Sequence, residues 1–351
     1  MPLRWPRRRE KKENRANIRL IGKVVKRIAE KYKKTKNPSK ISTLRDSIFA
    51  IDRPYMPSGV LPVDCVVAFG MGFPTGIIEI FGPETSGKTA LVEKTLAEAQ
   101  RLGYHTGMFA AEYTLNYRRV RRVGLDDKLL IMFDAETIED FYTELVDVVG
   151  EIRKLDKKTP IVIGWDTIAA TPTNMEQENE RGLDYSAMGQ MAGQMSKFFK
   201  RLVRFLFVNK VCLLCVNQTR VNLAQMWGSK ETTSGGKALR FYAWVRCRVS
   251  RIKGIVNSEK REIGFLCEFR TVKNKVAPPF RRCTFPIYWD RGIDSVMAIW
   301  HFGIEQKVFK KKGAHYTYKG HKIRERTFPE FYKVYHKSIN QRIRESVMRE
   351  D

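Results

Sequence analysis

Short apolar segments alternate with longer amphipathic segments along most of the chain between residues 77 and 216. The short segments have five or six residues and are typical of buried strands, whereas the longer ones repeat apolar residues with the spacing of one helix face. We predict strands at residues 77–81, 106–110, 129–133, 160–165 and 211–216, and helices at 89–102, 115–123, 138–154 and 188–207. Strands that alternate with helices in this way indicate an α/β fold, in which a mainly parallel sheet is flanked by helices.

Further segments extend this pattern at both ends. Residues 244–252 and 263–272 flank a polar turn at Asn257–Lys260, which predicts an antiparallel hairpin that closes the sheet. From residue 290 the apolar segments become shorter and are interspersed with Tyr, Phe, Lys and Arg. We expect a basic N-terminal helix or arm at residues 1–57, the α/β core at 58–289, and a small C-terminal α+β domain at 290–351.

The first forty residues combine a helical apolar stripe with a strong positive charge. They contain 16 Lys and Arg against 3 Asp and Glu. The stripe, with spacings of three and four residues, consists of Ile18, Ile21, Val25, Ile28 and Tyr32. Such a helix can pack on the protein core or on a neighbouring subunit, or lie on a membrane surface, and the stripe favours the first two.

The overall charge favours a partner that is a polyanion. The 351 residues include 65 Lys and Arg and 38 Asp and Glu, so that the net charge is +27. Nucleic acid is the first candidate for such a partner. The alternative is a charged surface that serves only solubility, although such surfaces usually mix both signs.

The cysteine content and the lack of long apolar runs disfavour secreted and membrane proteins. Six cysteines are too few for a disulfide framework, and Cys212 and Cys215 lie in a predicted strand, where residues three apart face opposite sides. We therefore interpret this pair as free thiols in a reducing cytosol rather than as metal ligands. The chain has no secretory signal and no apolar run of about 18 residues, so we expect a cytoplasmic protein without a membrane span.

One short segment carries a specific chemical signal. It matches the pattern Gly-x-x-x-x-Gly-Lys-Ser/Thr in full and lies between a predicted strand and a predicted helix, the context that this phosphate-binding motif requires. Its residues are Gly82, Pro83, Glu84, Thr85, Ser86, Gly87, Lys88 and Thr89. Glycines let backbone N–H groups turn towards phosphate oxygens, and the helix N-terminus adds a favourable dipole. We expect Lys88 to contact the β- and γ-phosphates of ATP and the Thr89 hydroxyl to bind Mg²⁺.

Polar side chains follow three other predicted strands at their carboxyl ends, where open α/β sheets bind ligands. We expect Asp166 to lie beside the phosphate loop and to hold Mg²⁺ through water. Glu112 can orient or deprotonate an attacking water, although taken alone it is equally well explained as a solvated loop acid. Asn217 and Gln218 end the third of these strands, where a carboxamide can form a hydrogen bond with the γ-phosphate.

The stretch from Thr219 to Gly236 is too polar and too rich in glycine for a packed element, but it contains Met226 and Trp227. Apolar side chains in such a loop suit insertion between nucleic-acid bases. The alternative is a loop that Trp227 fixes to the core.

Several of these residues stand in strings that resemble bacterial RecA-type recombinases. The most specific strings are Gly-Gly-Lys-Ala-Leu-Arg-Phe-Tyr-Ala at 235–243 and Lys-Asn-Lys-Val-Ala-Pro-Pro-Phe at 273–280. The resemblance covers about residues 58–325 and includes residues 313–320, which are similar to a segment of that family's C-terminal domain. It implies a RecA-like P-loop ATPase core between an N-terminal helix and a small C-terminal α+β domain.

The resemblance also implies an activity. Members of the family form homo-oligomeric helical filaments on single-stranded DNA, with ATP between subunits, and exchange strands with double-stranded DNA in recombination, repair and the SOS response. Glu112 matches the family's catalytic glutamate and Gln218 its sensor of the γ-phosphate. Lys273 and Lys275 match lysines that reach a neighbour's ATP, where they stabilise transition-state charge as an arginine finger does.

DNA contacts follow from the same resemblance. The first DNA-binding loop corresponds to residues 175–188 and the second to residues 220–236, with Met226 and Trp227 at the position of an apolar wedge. Contacts to the DNA backbone correspond to Arg201, Arg220, Ser234, Gly235, Gly236 and Lys237. Backbone contacts carry no sequence code, which suits a protein that accepts any sequence.

Three departures from the family pattern indicate a divergent member, and a phage-encoded origin fits them. Ala110 replaces an acid that is usual two residues before the catalytic glutamate. Arg119 stands where a tyrosine usually stacks on adenine, and we assign it to the nucleotide site because a guanidinium can also stack. The family's acidic tail is replaced by the mixed and basic residues 320–351.

Two other functions stay open at this point. One is an ATP-gated filament protein that binds single-stranded DNA and hydrolyses little ATP, which the departures at Ala110 and Arg119 keep open. The other is a hexameric helicase-like ATPase on the same fold, although the strings at 235–243 and 273–280 argue against it.

Overall fold

The computed structural model of the chain describes residues 19–28, 30, 53–113, 115, 117–178, 187–221, 231–233 and 236–349. The chain divides into two compact units, Met1–Arg53 and Pro54–Asp351. In the first unit residues 19–28 form helix α1, inside the segment for which the apolar stripe predicts a helix. Ile18 and Tyr32, at the two ends of that stripe, lie outside the described residues.

The second unit contains the elements of the predicted α/β core and those that follow it. Its first half contains β1 (Tyr55–Met56), α2 (Leu61–Ala68), β2 (Phe73–Pro74), β3 (Gly76–Gly82), α3 (Lys88–Arg101), β4 (His105–Ala110), α4 (Tyr117–Arg122), β5 (Leu130–Phe133), α5 (Ile138–Leu155), β6 (Ile161–Asp166), α6 (Asn174–Glu178) and α7 (Ala187–Val208). Its second half contains β7 (Val211–Val221), β8 (Glu231–Thr233), α8 (Gly236–Tyr242), β9 (Val245–Val256), β10 (Glu262–Asn274), β11 (Arg282–Tyr288), β12 (Gly292–Ile293), α9 (Ser295–Glu305), β13 (Lys310–Lys312), β14 (His315–Tyr318), β15 (His321–Ile323) and α10 (Phe328–Arg349).

The large sheet has the strand order β12-β11-β10-β9-β3-β7-β6-β4-β5, with β8 beside β7. The pairs from β9 through β3 to β5 are parallel, whereas β9, β10, β11 and β12 pair antiparallel. The predicted mainly parallel sheet and its closing hairpin are therefore confirmed. Because β3 lies in the middle of the sheet, the loop that follows it has strands on both sides.

Each face of the sheet is covered by helices and has its own hydrophobic core. One core contains residues of α2, α3, α9 and α10, and the other contains residues of α5, α7 and α8. Cys212 belongs to the first core and Cys215 to the second, as expected for residues three apart in a strand. All six cysteines lie within the described residues, where they are buried and form no disulfide. None of the helices in the described ranges has both the length and the apolarity needed to cross a bilayer.

Helix α2 is absent from the sequence prediction because its residues show no helical periodicity. All eight of them are buried. A helix that is buried on every side has no exposed polar stripe to mark an outer face. Pro62 stands in its first turn, where the missing N–H removes no helical hydrogen bond. The helix packs against α9, α10 and the antiparallel strands β10 and β11.

The C-terminal residues form α9, the three-stranded sheet β13-β14-β15 and the 22-residue helix α10. Aromatic rings join these elements: the ring of Trp300 lies 5.6 Å from that of Phe309 and 5.0 Å from that of Phe328, centroid to centroid. Helix α10 is longer than the short apolar segments of the sequence suggest. Few of its residues are buried, among them Ile343 and Val347, so its apolar pattern is sparse.

A buried carboxylate closes the turn before α2. Asp64 is 4% exposed, and its Oδ1 accepts hydrogen bonds from Ser58 N at 2.7 Å and from Ser58 Oγ at 2.6 Å. Burial raises the pKa of Asp64 from 3.8 to about 7, although the two hydrogen bonds and Arg344 oppose the rise. The folded protein therefore keeps a proton at this site over a pH range in which the unfolded chain has released it.

We predict that this group makes the protein less stable as the pH rises. Between the two pKa values, 3.8 and about 7, the folded protein binds more protons here than the unfolded chain does. The contribution of Asp64 to the free energy of unfolding therefore falls by about 1.4 kcal/mol per pH unit in that range. Asp64→Asn should remove this slope, which urea denaturation at a series of pH values would measure.

Asp134→Asn is the matched control for that experiment because Asp134 is exposed. This variant should keep the pH dependence of the wild type. Parallel stability profiles of the wild type and Asp64→Asn would contradict the assignment of a retained proton to Asp64.

Candidate functional site

The phosphate loop connects the carboxyl end of β3 to the first turn of α3, as its sequence predicts. Both of its glycines have a clear structural reason: a Cβ on Gly82 would lie 2.0 Å from the carbonyl oxygen of Val249, and Gly87 has a φ of +100°. Between them, the loop is exposed at Pro83, Glu84 and Thr85 and buried at Ser86. The loop leads into the N-terminus of a 14-residue helix, where unpaired N–H groups and the helix dipole attract anions.

Lys88 folds back over this loop. Its Nζ donates to the carbonyl oxygens of Gly82 at 3.1 Å and of Pro83 at 2.5 Å, and the residue is buried. Burial lowers the pKa of Lys88, whereas nearby carboxylates, chiefly those of Asp166 and Glu112, oppose this effect. The ammonium group is thus a buried charge at the phosphate loop, and a bound anion would compensate it better than two carbonyl groups do.

Two candidate magnesium ligands meet beside the loop. Thr89 Oγ1 donates to Asp166 Oδ2 at 2.5 Å, across 77 residues of chain. Asp166 is buried at the end of β6, and its peptide bond to Thr167 is cis. A hydroxyl and a carboxylate that face each other in this way fit the oxygen ligands that Mg²⁺ prefers.

The carboxylate of Glu112 lies at the same edge of the sheet and accepts two hydrogen bonds at one oxygen. Thr167 Oγ1 donates to Glu112 Oε1 at 2.9 Å, and Gln218 Nε2 donates to the same atom at 3.2 Å. Glu112 is exposed in the turn after β4, whereas Thr167 is buried. The fold therefore holds a solvent-accessible carboxylate in a fixed direction next to the candidate magnesium ligands.

The two lysines of the Lys-x-Lys string contact other parts of the chain. Lys273 Nζ donates to the carbonyl oxygens of Arg240 at 2.7 Å and of Phe241 at 2.8 Å, near the end of α8. Lys275 Nζ lies 5.4 Å from the ring centroid of Trp244. Within the described residues, neither lysine forms a hydrogen bond with the phosphate loop of its own chain.

A cleft of about 670 Å³ opens along the phosphate loop and the start of α3. Arg118 and Arg122 of α4 form one side of it, and Tyr288, Trp289 and Arg291, at and after the end of β11, form another. None of these residues is predicted from the sequence as part of the site. Trp289 carries the signal that could have found it, an exposed aromatic residue directly after a strand, but only the folded structure brings the end of β11 to the cleft at the phosphate loop.

The candidate DNA-binding residues are described only in part. Arg201 is exposed on α7, and Lys237 is exposed in the first turn of α8, which packs against α7. Arg220 lies in β7, Gly236 begins α8 and the nucleotide-site candidate Arg119 lies in α4. Outside the described residues lie Met226, Trp227, Ser234, Gly235 and residues 179–186 of the first predicted DNA-binding loop.

Sequence comparisons relate the chain to proteins of known identity. A family model described as RecA N-terminal domain matches residues 19–294. Protein RecA of Saccharopolyspora erythraea is 35% identical over 269 residues, which cover 76% of this chain and 75% of that protein. Protein RecA of Corynebacterium pseudotuberculosis and of Corynebacterium diphtheriae are 35% and 34% identical over 267 residues, which cover 76% of this chain and 70% and 69% of those proteins.

We predict that Gly82→Ala destabilises the protein and weakens nucleotide binding together. Because the new Cβ would lie 2.0 Å from a backbone oxygen of β9, either the loop or the strand must shift. The expected loss in the free energy of unfolding is about 2 kcal/mol or more, measured by urea denaturation.

Gly150→Ala provides the control for this substitution. Gly150 lies inside α5, and a Cβ there meets no atom within 4 Å. Ala should therefore stabilise the protein by about 0.5–1 kcal/mol through helix propensity and leave nucleotide binding unchanged. Equal effects of the two substitutions would show that the close approach of β9 to Gly82 does not shape the loop.

Proposed function

The chain belongs to the RecA family, and from this premise we propose that it is an ATP-dependent recombinase, which forms a helical filament on single-stranded DNA. In that filament it would pair and exchange the strand with homologous double-stranded DNA. The observation that carries the proposal is the convergence of Thr89 with Asp166, and of Gln218 with Glu112, beside the phosphate loop. These pairs offer separate groups for phosphate, metal and water at one edge of the sheet.

ATP and Mg²⁺ are the cofactors that suit these residues. The phosphate loop, Gly82–Thr89, binds the phosphates, and Lys88 exchanges its carbonyl partners for oxygens of the β- and γ-phosphates. The hydroxyl of Thr89 and the carboxylate of Asp166 are the groups that would hold Mg²⁺. Bound Mg²⁺ and ATP supply the transferable phosphoryl group and the cation that offsets its charge. The cleft, which Trp289 lines, is the proposed place of the base, with Trp289 as a stacking group. Arg119 is assigned to the base from its position in the sequence, because a guanidinium can stack.

Glu112 is the group that we assign to the activation of water. Thr167 and Gln218 both donate to Glu112 Oε1, which fixes the direction of the carboxylate, and Oε2 is assigned to accept the proton of the water. The Gln218 amide can also leave Glu112 and donate to the γ-phosphate. The same side chain would then signal the presence of a triphosphate along β7 to the second DNA-binding loop, residues 220–236.

A second subunit completes the site in this proposal. Lys273 and Lys275 are assigned to the ATP of a neighbouring subunit, where they stabilise the charge that develops during phosphoryl transfer. This contact joins two different surfaces of identical subunits, and a head-to-tail contact that does not close produces a helical filament. The basic arm, residues 1–57, is assigned to the same subunit contact.

DNA binding is supported by charge and by the position of two exposed cations. The net charge of +27 suits a polyanion, and Arg201 and Lys237 are exposed on the adjoining helices α7 and α8. We assign these residues, together with Arg220, Ser234, Gly235 and Gly236, to the DNA backbone, and Met226 and Trp227 to insertion between bases. A cytoplasmic location, where DNA and ATP are both present, fits this function.

One observation supports a second candidate function. Ala110 ends β4, two residues before Glu112, at a position where the family usually has an acid. A filament protein that binds ATP and single-stranded DNA but hydrolyses little ATP is therefore the alternative. A joint-molecule assay with ATP and homologous DNA separates the two, since only the recombinase forms joint molecules with turnover. Electron micrographs that show closed rings instead of filaments would contradict both and indicate a helicase-like ATPase.

We predict that Glu112→Gln stops ATP turnover but preserves ATP binding and filament formation. The amide keeps the size of the side chain and cannot accept a proton from water, so kcat on single-stranded DNA should fall about 100-fold or more. The affinity for ATP should change little because Glu112 lies beside the phosphate loop and is not part of it. Phosphate release and nucleotide binding, measured on the same preparation, test the two halves of the prediction.

Glu151→Gln is the control, because Glu151 is an exposed glutamate on α5 that pairs only with Lys154 among the described residues. It should keep the turnover of the wild type. Undiminished turnover in Glu112→Gln would show that another group positions the water.

A further inference from the structure

A polar network, joined by hydrogen bonds, runs through the sheet from β9 to the carboxylate of Glu112. Glu79 of β3 is fully buried, and its Oε2 forms an ion pair with Nε of Arg246 on β9. Glu79 Oε1 accepts a hydrogen bond from Asn217 Nδ2 at 3.1 Å. Asn217 Oδ1 accepts one from the backbone N–H of Gln218 at 3.0 Å, and the Gln218 side chain donates to Glu112 Oε1 at 3.2 Å.

The strand register brings the members of this polar network together. Glu79 stands beside Arg246 in the parallel pair β3–β9. In the pair β3–β7, Glu79 stands beside Cys215, so that Asn217, two residues later in β7, is its diagonal neighbour on the same face. Because Gln218 follows Asn217 directly and its backbone N–H donates to Asn217 Oδ1, the amide that Glu79 holds also restrains the backbone of Gln218.

Packing alone does not account for these residues. Glu79 and Asn217 have no exposed surface, and the side chain of Arg246 is 12% exposed. Burial of a carboxylate and an amide in a sheet core costs free energy unless partners compensate for the lost water. Apolar side chains of similar size would fill such positions without that cost. A role in the site explains why this position of the core is polar.

We propose that Glu79, Arg246 and Asn217 are positioning residues for ATP turnover. They hold the backbone N–H of Gln218 and so set the direction in which its side chain reaches Glu112. In the proposed site none of the three touches the nucleotide, so they act through Gln218. This inference rests on the proposed function, because that function assigns turnover to Glu112 and Gln218.

At its other end, at Arg246, the polar network adjoins the lysines that we assign to a neighbour's ATP. Lys273 stands opposite Arg246 in the antiparallel pair β9–β10. Burial lowers the pKa of Lys273, as do Lys275 and Arg246, whereas Glu79 raises it. A change in the partner of Lys273 therefore alters the surroundings of the Arg246–Glu79 ion pair. The polar network therefore connects the proposed subunit contact with the carboxylate of Glu112.

Asn217→Ala tests the inference because it removes two hydrogen bonds of the polar network, those to Glu79 and to the backbone of Gln218, and leaves the Arg246–Glu79 ion pair in place. We expect kcat for ATP hydrolysis on single-stranded DNA to fall about tenfold, with the KM for ATP within about twofold of the wild type. In a Gln218→Ala background the same substitution should cause no further loss, because the group that Asn217 positions is gone.

Thr106→Val is the control for the loss of a buried hydrogen bond. Thr106 is 1% exposed in β4 and donates to the carbonyl oxygen of Leu129 at 2.9 Å, and neither residue belongs to the polar network. This variant should lower stability but keep the kcat of the wild type. Glu79→Gln is the second test variant, since it removes the charge partner of Arg246 and should lower kcat without changing KM.

The inference and the proposed function fail in different ways. Full turnover in Gln218→Ala would overturn the proposed site. If Gln218→Ala is impaired, two results would overturn the inference alone: a wild-type kcat in Asn217→Ala, or an equal loss from Asn217→Ala in both backgrounds. If Asn217→Ala does not fold, Glu79→Gln is judged by the same criteria. If neither variant folds, the polar network is required for folding and the inference is overturned.

Discussion

The register of neighbouring parallel strands determines where the side chains of the nucleotide site lie. Gly82 at the end of β3 stands beside Gln218 of β7, and Asp166 at the end of β6 stands beside Ala110 of β4. Glu112 follows two residues after Ala110. A shift of any strand by one residue would turn its side chains to the other face of the sheet. The apolar residues that fix the register in the two cores therefore also fix the site.

Much of this arrangement could be predicted from the sequence, because it follows from local patterns and one general rule. The strand–loop–helix order identifies the phosphate loop, and the rule that ligands bind at the carboxyl edge of an α/β sheet brings Asp166 and Glu112 towards it. Contacts that depend on strand order could not be predicted in this way. Asn217 and Glu79 are 138 residues apart and meet only because β7 pairs with β3. Trp289 reaches the cleft only through the packing of the folded protein, and α2, which is buried on every side, has no exposed polar face from which a helix could be predicted.

The proposed division of the site between two subunits follows from the positions of its cations. Lys88 is bonded to the phosphate loop of its own chain, whereas Lys273 is bonded to carbonyl groups near the end of α8. In the filament that we propose, Lys273 must leave those carbonyl groups to reach a neighbour's ATP. Because α8 begins at Gly236, at the end of the proposed second DNA-binding loop, this exchange would connect ATP at the subunit contact with the residues that we assign to DNA. The polar network from Arg246 to Gln218 would connect the same change in the partners of Lys273 with Glu112.

A mixture of two inactive variants tests most directly whether the site is shared between subunits. Glu112→Gln subunits keep both lysines, and subunits with Lys273→Ala and Lys275→Ala keep the phosphate loop and Glu112. In an equimolar filament about one site in four combines intact residues from both sides of a head-to-tail contact. We therefore predict ATP turnover on single-stranded DNA at about a quarter of the wild-type rate, although each variant alone is inactive. Turnover that stays at the level of the separate variants would contradict a shared site.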